Sequence, residues 1–280
     1  MNRTDALVTT DWLAERLDDP AVRVIEADAD PDDAAYLTGH IPGAIRFFWK
    51  DLCWHETDRE FATPEEMAAR LGHIGIGPDT TVVIYSDRVQ YGTYAFWALT
   101  MAGHRSLKLL DGNRTKWVKE GRPLSAEVPS FSPVHCEPGE PNTSMRVGRD
   151  NVRDNLGREG RLLLDVRSPE EYRGERVMPP PGFDHGAERS GRIPGAVPLY
   201  FQELVNDDDT FLSPDELRQR FSAAGATPEQ APEVVTYCRL SHRATLAWFA
   251  MTNVLGWNNA RIYDGSWTEW GSIVGFPIEK

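Results

Sequence analysis

Apolar and polar positions along this chain alternate between two periods. Val234–Tyr237 is a short apolar run of the kind that forms a buried strand. From about Arg243 the apolar positions fall at Ala244, Leu246–Ala247, Phe249–Ala250 and Val254, the spacing of a helix laid on a sheet. Val82–Tyr85 begins the same sequence of events earlier in the chain. Thr63-Pro64-Glu65-Glu66 and Ser213-Pro214-Asp215-Glu216 each read as a capping box with proline at the first helical position, so a helix is expected after each. Strands alternating with helices predict parallel α/β units.

The pattern occurs twice. Gly39–Ile45 (GHIPGAI) recurs as Gly191–Val197 (GRIPGAV), and Thr63–Gly75 recurs as Ser213–Gly225. "VVIY" before Ser86 recurs as "VVTY" before Cys238, and Leu110–Trp117 (LDGNRTKW) recurs as Tyr263–Trp270 (YDGSWTEW). Four segments in one order at near-constant offset indicate a tandem duplication. Between the copies, Pro129, Pro133, Pro138 and Pro141 mark an extended linker. The expected organisation is a domain over 1–124, a proline-rich linker over 125–143 and a second domain over 144–280. Each domain is an α/β unit with a mainly parallel sheet and helices on both faces. Gly72–Gly77 (GHIGIG) looks faintly like a dinucleotide fingerprint, but it precedes its strand, so a helix end followed by a turn is the better reading.

Charge narrows the chemistry. A net charge of −13 over 280 residues argues against nucleic acid or membrane headgroups as partners. A small anion would need a local cationic pocket. The apolar stretch Tyr94–Ala102 is far shorter than the roughly 20 residues of a membrane span. The opening MNRTDALVTTDWL lacks a signal-peptide pattern. Three cysteines without paired spacing give neither a disulfide framework nor a zinc motif. A reducing, cytoplasmic setting is therefore expected, with no metal and no organic cofactor.

One cysteine stands apart. Cys238 ends its strand, lies between Arg239 and Arg243, and leads into a helix N-terminus. Buried cysteine often serves as a small hydrophobe. Here, however, converging amides, the helix dipole and two guanidiniums would all favour a thiolate. The first copy has Ser86-Asp87 at this point. Arg167 follows the strand in "LLLDVRSPEEY", where the first copy has Asp28 or a neighbour, so Cys238 and Arg167 are expected to share a site.

Three segments resemble the tandem-domain rhodanese (thiosulfate sulfurtransferase) family. "YLTGHIPGAIRF" (Tyr36–Phe47) is similar to its N-terminal signature and "ARIYDGSWTEW" (Ala260–Trp270) to its C-terminal one. "CRLSHR" is similar to its six-residue active loop. The resemblance covers essentially the whole chain and implies two rhodanese-like domains, the first inactive. It also implies a Cys238 persulfide that carries the outer sulfur of thiosulfate to cyanide or a thiol in ping-pong fashion. Arg167, Arg239, Leu240, Ser241, His242 and Arg243 would bind the donor. The basic loop implies thiosulfate ahead of 3-mercaptopyruvate, and a persulfide carrier acting with a protein partner is the other reading. Ser241 stands where many relatives have glycine, which matters if the position needs positive φ. Four residues between Cys238 and Arg243, instead of five, set the chain apart from rhodanese-like phosphatases.

Other candidates are expected to be structural. His40 should fix a turn, Cys53 and Cys136 should be bystanders, and Trp117, Trp267 and Trp270 should pack cores. The His242 ring is expected to face solvent. His185 lies in an insertion, Arg173–Ile193, whose proline and glycine density marks a long loop that could edge the site.

Overall fold

The computed structural model describes residues 5–179 and 183–280. It divides into two compact units that adjoin in sequence at Thr143–Ser144, with residues 207–210 grouping with the first. The first sheet contains β1 (Leu7–Val8), β2 (Val22–Asp28), β3 (Ala44–Phe48), β4 (Thr81–Tyr85) and β5 (Leu107–Leu110), in the order β1-β5-β4-β2-β3. The second contains β6 (Arg146–Val147), β7 (Arg161–Asp165), β8 (Val197–Pro198), β9 (Glu233–Tyr237) and β10 (Ala260–Tyr263), in the order β6-β10-β9-β7-β8. Every pairing is parallel and the two orders are equivalent, so the duplication read from the sequence is a duplication of the fold.

Local chemistry explains why the elements start where they do. Thr63 and Ser213 accept the Glu66 and Glu216 amides, and both glutamates reach back to the cap, so two matching ten-residue helices begin at Pro64 and Pro214. A third capping box, Ser168 with Glu171, opens the short Pro169–Tyr172 helix. Gly75 takes φ +76 just past the Pro64–His73 helix, as expected of the turn in GHIGIG. Inward-facing strand residues join tryptophan to form each core: Trp117 with Val24, Val83 and Tyr85 in the first unit, and Trp267 and Trp270 with Val235, Tyr237 and Tyr263 in the second.

The linker has no helix or strand from 126 to 142, yet it lies against the first unit. Phe131 packs beneath the Arg23 guanidinium at 4.1 Å, the Val134 amide donates to Gly72 O, and Cys136 is buried. Gly72 is required there, because a Cβ would come within 2.5 Å of the Val134 carbonyl. Among the described residues, no helix is long and apolar enough to cross a membrane.

Candidate active site

Cys238 follows directly on β9, the central strand of the second sheet, and is 1 % exposed. Four residues later the His242–Phe249 helix begins. This is the carboxyl edge of a parallel sheet, where strand ends and helix N-termini converge. The loop is held by the segment after β10. Ser266 Oγ accepts the amides of both Cys238 and Ser241 at 3.2 Å and donates to Tyr263 O. The Trp267 and Thr268 amides donate to Cys238 O and Arg239 O, each at 2.9 Å.

The repeat, which served only to reveal the duplication, thus contains the loop's anchor. Asn113 is the counterpart of Ser266 in the first unit. Both have positive φ (50 and 52), and Asn113 Oδ1 accepts the Ser86 amide. The alignment of "LDGN" with "YDGS" was the available signal.

Ser241 takes φ +61, so this position does need left-handed backbone. For a non-glycine residue that costs on the order of 1–3 kcal/mol. The side chain offsets part of it: Ser241 Oγ donates to buried Asp264 Oδ1 at 2.7 Å, a bond glycine could not make. In the loop, the amides of Arg239, Leu240, Arg243 and Ala244 make no hydrogen bond to any described residue. At a helix N-terminus such donors create a concave region of positive potential.

The arginines differ from one another. Arg243 is bound by both carboxylate oxygens of Glu171, at 2.6 and 2.8 Å, and Glu171 is fully buried. Burial acts to lower the Arg243 pKa, but the hydrogen bonds and charge of Glu171, with Cys238 nearby, hold it above the ordinary value. Arg167 lies under the site with no exposed side-chain surface. Asp165 holds it at 2.6 Å, Gly191 O accepts from its Nη2, and it stacks 4.6 Å over Trp267. Both guanidiniums thus lie against buried carboxylates, while Arg167 Nη1 is buried without a hydrogen-bond partner among the described residues. These ion pairs fix the direction of both guanidiniums. Arg239 is half-buried and makes no ion pair with a described residue. Leu240 beside it is also half-buried, and His242 is buried at 7 %, not turned to solvent as expected.

In the first unit the same frame is closed. Strand register sets Glu26 opposite Tyr85, as it sets Asp165 opposite Tyr237, and each tyrosine hydroxyl donates to its carboxylate. Two residues further on, Asp28 occupies the place of Arg167, paired with Arg46 at 2.7 Å. Ser86 Oγ donates to Arg88 O and accepts the Gly92 amide, so the hydroxyl at the cysteine's position is internally satisfied.

Glu26 is held up at about 7 by burial, against the Tyr85 hydrogen bond and the Arg114 charge and with help from the charges of Asp87 and Asp28. Its ordinary value is 4.5, so between pH 4.5 and 7 the native state keeps a proton that the unfolded chain releases. Stability from this site is full below that window and falls as pH rises through it, by on the order of 3 kcal/mol. Glu26→Gln is expected to remove most of that fall, measured as the difference in urea unfolding free energy between pH 5 and pH 8. An unchanged difference would refute the assignment to Glu26.

His40 is fully buried and bridges Tyr36 O and Glu127 O, and Arg192, its counterpart, lies over Tyr172. Cys53 and Cys136 are buried in the first unit, and burial raises both thiols. His185 is exposed and stacks on Phe183.

Against known proteins, the chain matches the family described as Rhodanese-like domain over residues 9–120 and 149–273. It is 44 % identical to the sulfur carrier protein TtuD of Thermus thermophilus, covering 99 % of this chain and 97 % of that one. It is 40 % identical to a protein of Haloferax volcanii named as a "Putative thiosulfate sulfurtransferase", covering 99 % and 96 %. Among solved structures, EanB captured as a cysteine persulfide with ergothioneine is similar at a TM-score of 0.85 and 25 % identity, over all of this chain and 71 % of that one.

Proposed function

Since the chain belongs to the rhodanese family, with its domain present twice, we propose that it is a sulfurtransferase that takes the outer sulfur of thiosulfate onto Cys238. The observation that carries this reading is the loop itself. A cysteine sits at the end of a central strand, four loop and helix-start amides are free of hydrogen bonds to described residues, and beside it lies Arg239, which makes no ion pair with a described residue. Such a loop suits a small dianion reacting through its terminal atom.

In the first half-reaction the Cys238 thiolate attacks the outer sulfur. The Sγ–S bond forms, the S–S bond of thiosulfate breaks, and its electron pair leaves on sulfite. One negative charge stays on the new persulfide, where the loop amides and the fixed Arg243 charge stabilise it. In the second, cyanide or a thiolate attacks the terminal sulfur, taking it as thiocyanate or a new persulfide, and the electron pair returns to Sγ. The proton and charge count is unchanged in each step. Arg239 would hold the sulfonate end of the donor. The low exposure of Cys238 limits water at the persulfide, and a reducing compartment keeps the free thiol available.

Identity to a sulfur carrier favours a second reading, in which the same persulfide is delivered to a protein. Incubation with thiosulfate and with 3-mercaptopyruvate, followed by intact mass and steady-state rates with cyanide, separates the readings. The expected result is a gain of one sulfur atom and saturable ping-pong turnover, with thiosulfate the better donor. Mass gain without turnover would favour the carrier. Faster turnover with 3-mercaptopyruvate would reverse the donor assignment. No gain with either donor would overturn the sulfurtransferase reading.

A further inference from the structure

The second domain's insertion is built against the active loop. Of its described parts, residues 173–179 and 183–193, the second is fastened at several points within the domain. The Arg189 guanidinium donates to four backbone carbonyls near the C-terminus, those of Trp270, Gly271, Ile273 and Phe276, at 2.8–3.2 Å. The Trp267 indole donates to Arg189 O at 2.9 Å, and buried Arg167 donates to Gly191 O at 2.8 Å. Asp184 accepts the Val177 and Met178 amides, tying this part to the first part of the insertion.

Trp267 therefore joins two structures, because its amide holds Cys238 O while its indole holds the insertion. The two come together at Gly186. A Cβ built on Gly186 would lie 2.5 Å from Arg239 Nη1 and 3.4 Å from its Cδ, so the guanidinium rests directly on bare backbone. Gly186 also has φ +114, a conformation that side chains rarely adopt.

We infer that this insertion is the positioning wall for Arg239, with Gly186 as its contact, and that the wall determines how tightly a dianionic donor is recognised. Arg239 is the loop cation with no carboxylate partner among the described residues, and a long arginine side chain at a half-buried position needs a surface to define its direction. Arg167 and Arg243 take theirs from buried carboxylates, and Arg239 takes its own from the insertion. Gly186 and Arg189 are thus positioning residues, acting on the donor only through Arg239.

The inference rests on the thiosulfate reading above, and the experiment keeps the two apart. Thiosulfate turnover is measured for the wild type, Gly186→Ala, Arg239→Ala and the double variant. Gly186→Ala is expected to raise KM for thiosulfate about tenfold, the scale of one charge-assisted hydrogen bond, while kcat changes by less than about twofold. Arg239→Ala should raise KM at least as much, and the double variant should equal Arg239→Ala alone.

Because alanine at φ +114 could impair folding, Arg189→Lys serves as the second variant. Lysine cannot span four carbonyls, so the wall loosens without any change at Gly186. Its rise in KM should likewise vanish in the Arg239→Ala background. Unchanged KM in folded Gly186→Ala, or effects that multiply with those of Arg239→Ala, would overturn the inference while leaving thiosulfate turnover standing. Absence of saturable thiosulfate turnover in the wild type would overturn both.

Discussion

Cys238→Ser is expected to abolish the donor-dependent mass gain and to bring sulfur transfer down to the uncatalysed background. The hydroxyl is nearly the size of the thiol and fits the same 1 % exposed position, so the loop should keep its Ser266, Trp267 and Thr268 anchors. What disappears is a polarisable nucleophile that can hold a second sulfur as a stable anion. A loss of at least about 10³-fold in kcat, with an unchanged urea midpoint, would match a residue that bonds covalently to the transferred atom. Retention of more than a tenth of wild-type turnover would require a different acceptor atom. Cys53 and Cys136 are poor alternatives, since burial raises both thiols and neither adjoins a loop of this kind.

Glu171→Gln is expected to have the largest effect on stability. The carboxylate is fully buried, accepts the Ser168 amide as a helix cap, and binds Arg243 through both oxygens. Glutamine keeps the length but presents an NH₂ to a guanidinium and removes the compensating charge. Stranding one member of a buried pair costs about 3–5 kcal/mol, read from urea unfolding of the second domain. Turnover should fall too, because Arg243 lies in the first turn of the helix whose N-terminal amides line the loop.

A double replacement, Glu171→Met with Arg243→Met, separates the two consequences. Apolar residues in place of a buried pair are often tolerated, so stability should largely return while sulfur transfer stays low, the positive charge beside Cys238 being gone. A loss below about 1 kcal/mol for Glu171→Gln would mean that the loop is held by its Ser266 and Trp267 contacts instead.

Several features were legible before any coordinates because they depend on local chemistry. The capping boxes at Thr63 and Ser213 need only neighbours within one turn. The strand, cysteine and helix succession from Glu233 to Phe249 follows from a change of hydrophobic period. Ser168-Pro169-Glu170-Glu171 belongs to the same grammar and marks a helix start. Nothing local, however, says that Glu171 also grips an arginine 72 residues away.

By itself, the sequence determined the duplication, the parallel α/β architecture and the placing of one cysteine at a strand end between arginines. Periodicity and repetition record which faces are buried and which segments share an ancestor, and both survive in one dimension. The tertiary structure decided which partners the charges take. Asp165 and Glu171 claim Arg167 and Arg243, Ser266 and Asp264 hold the loop, the linker lies on the first unit, and the insertion stands against Arg239. A buried polar group must find its partner wherever the fold brings one within hydrogen-bonding distance, and that choice depends on packing between segments far apart in the chain.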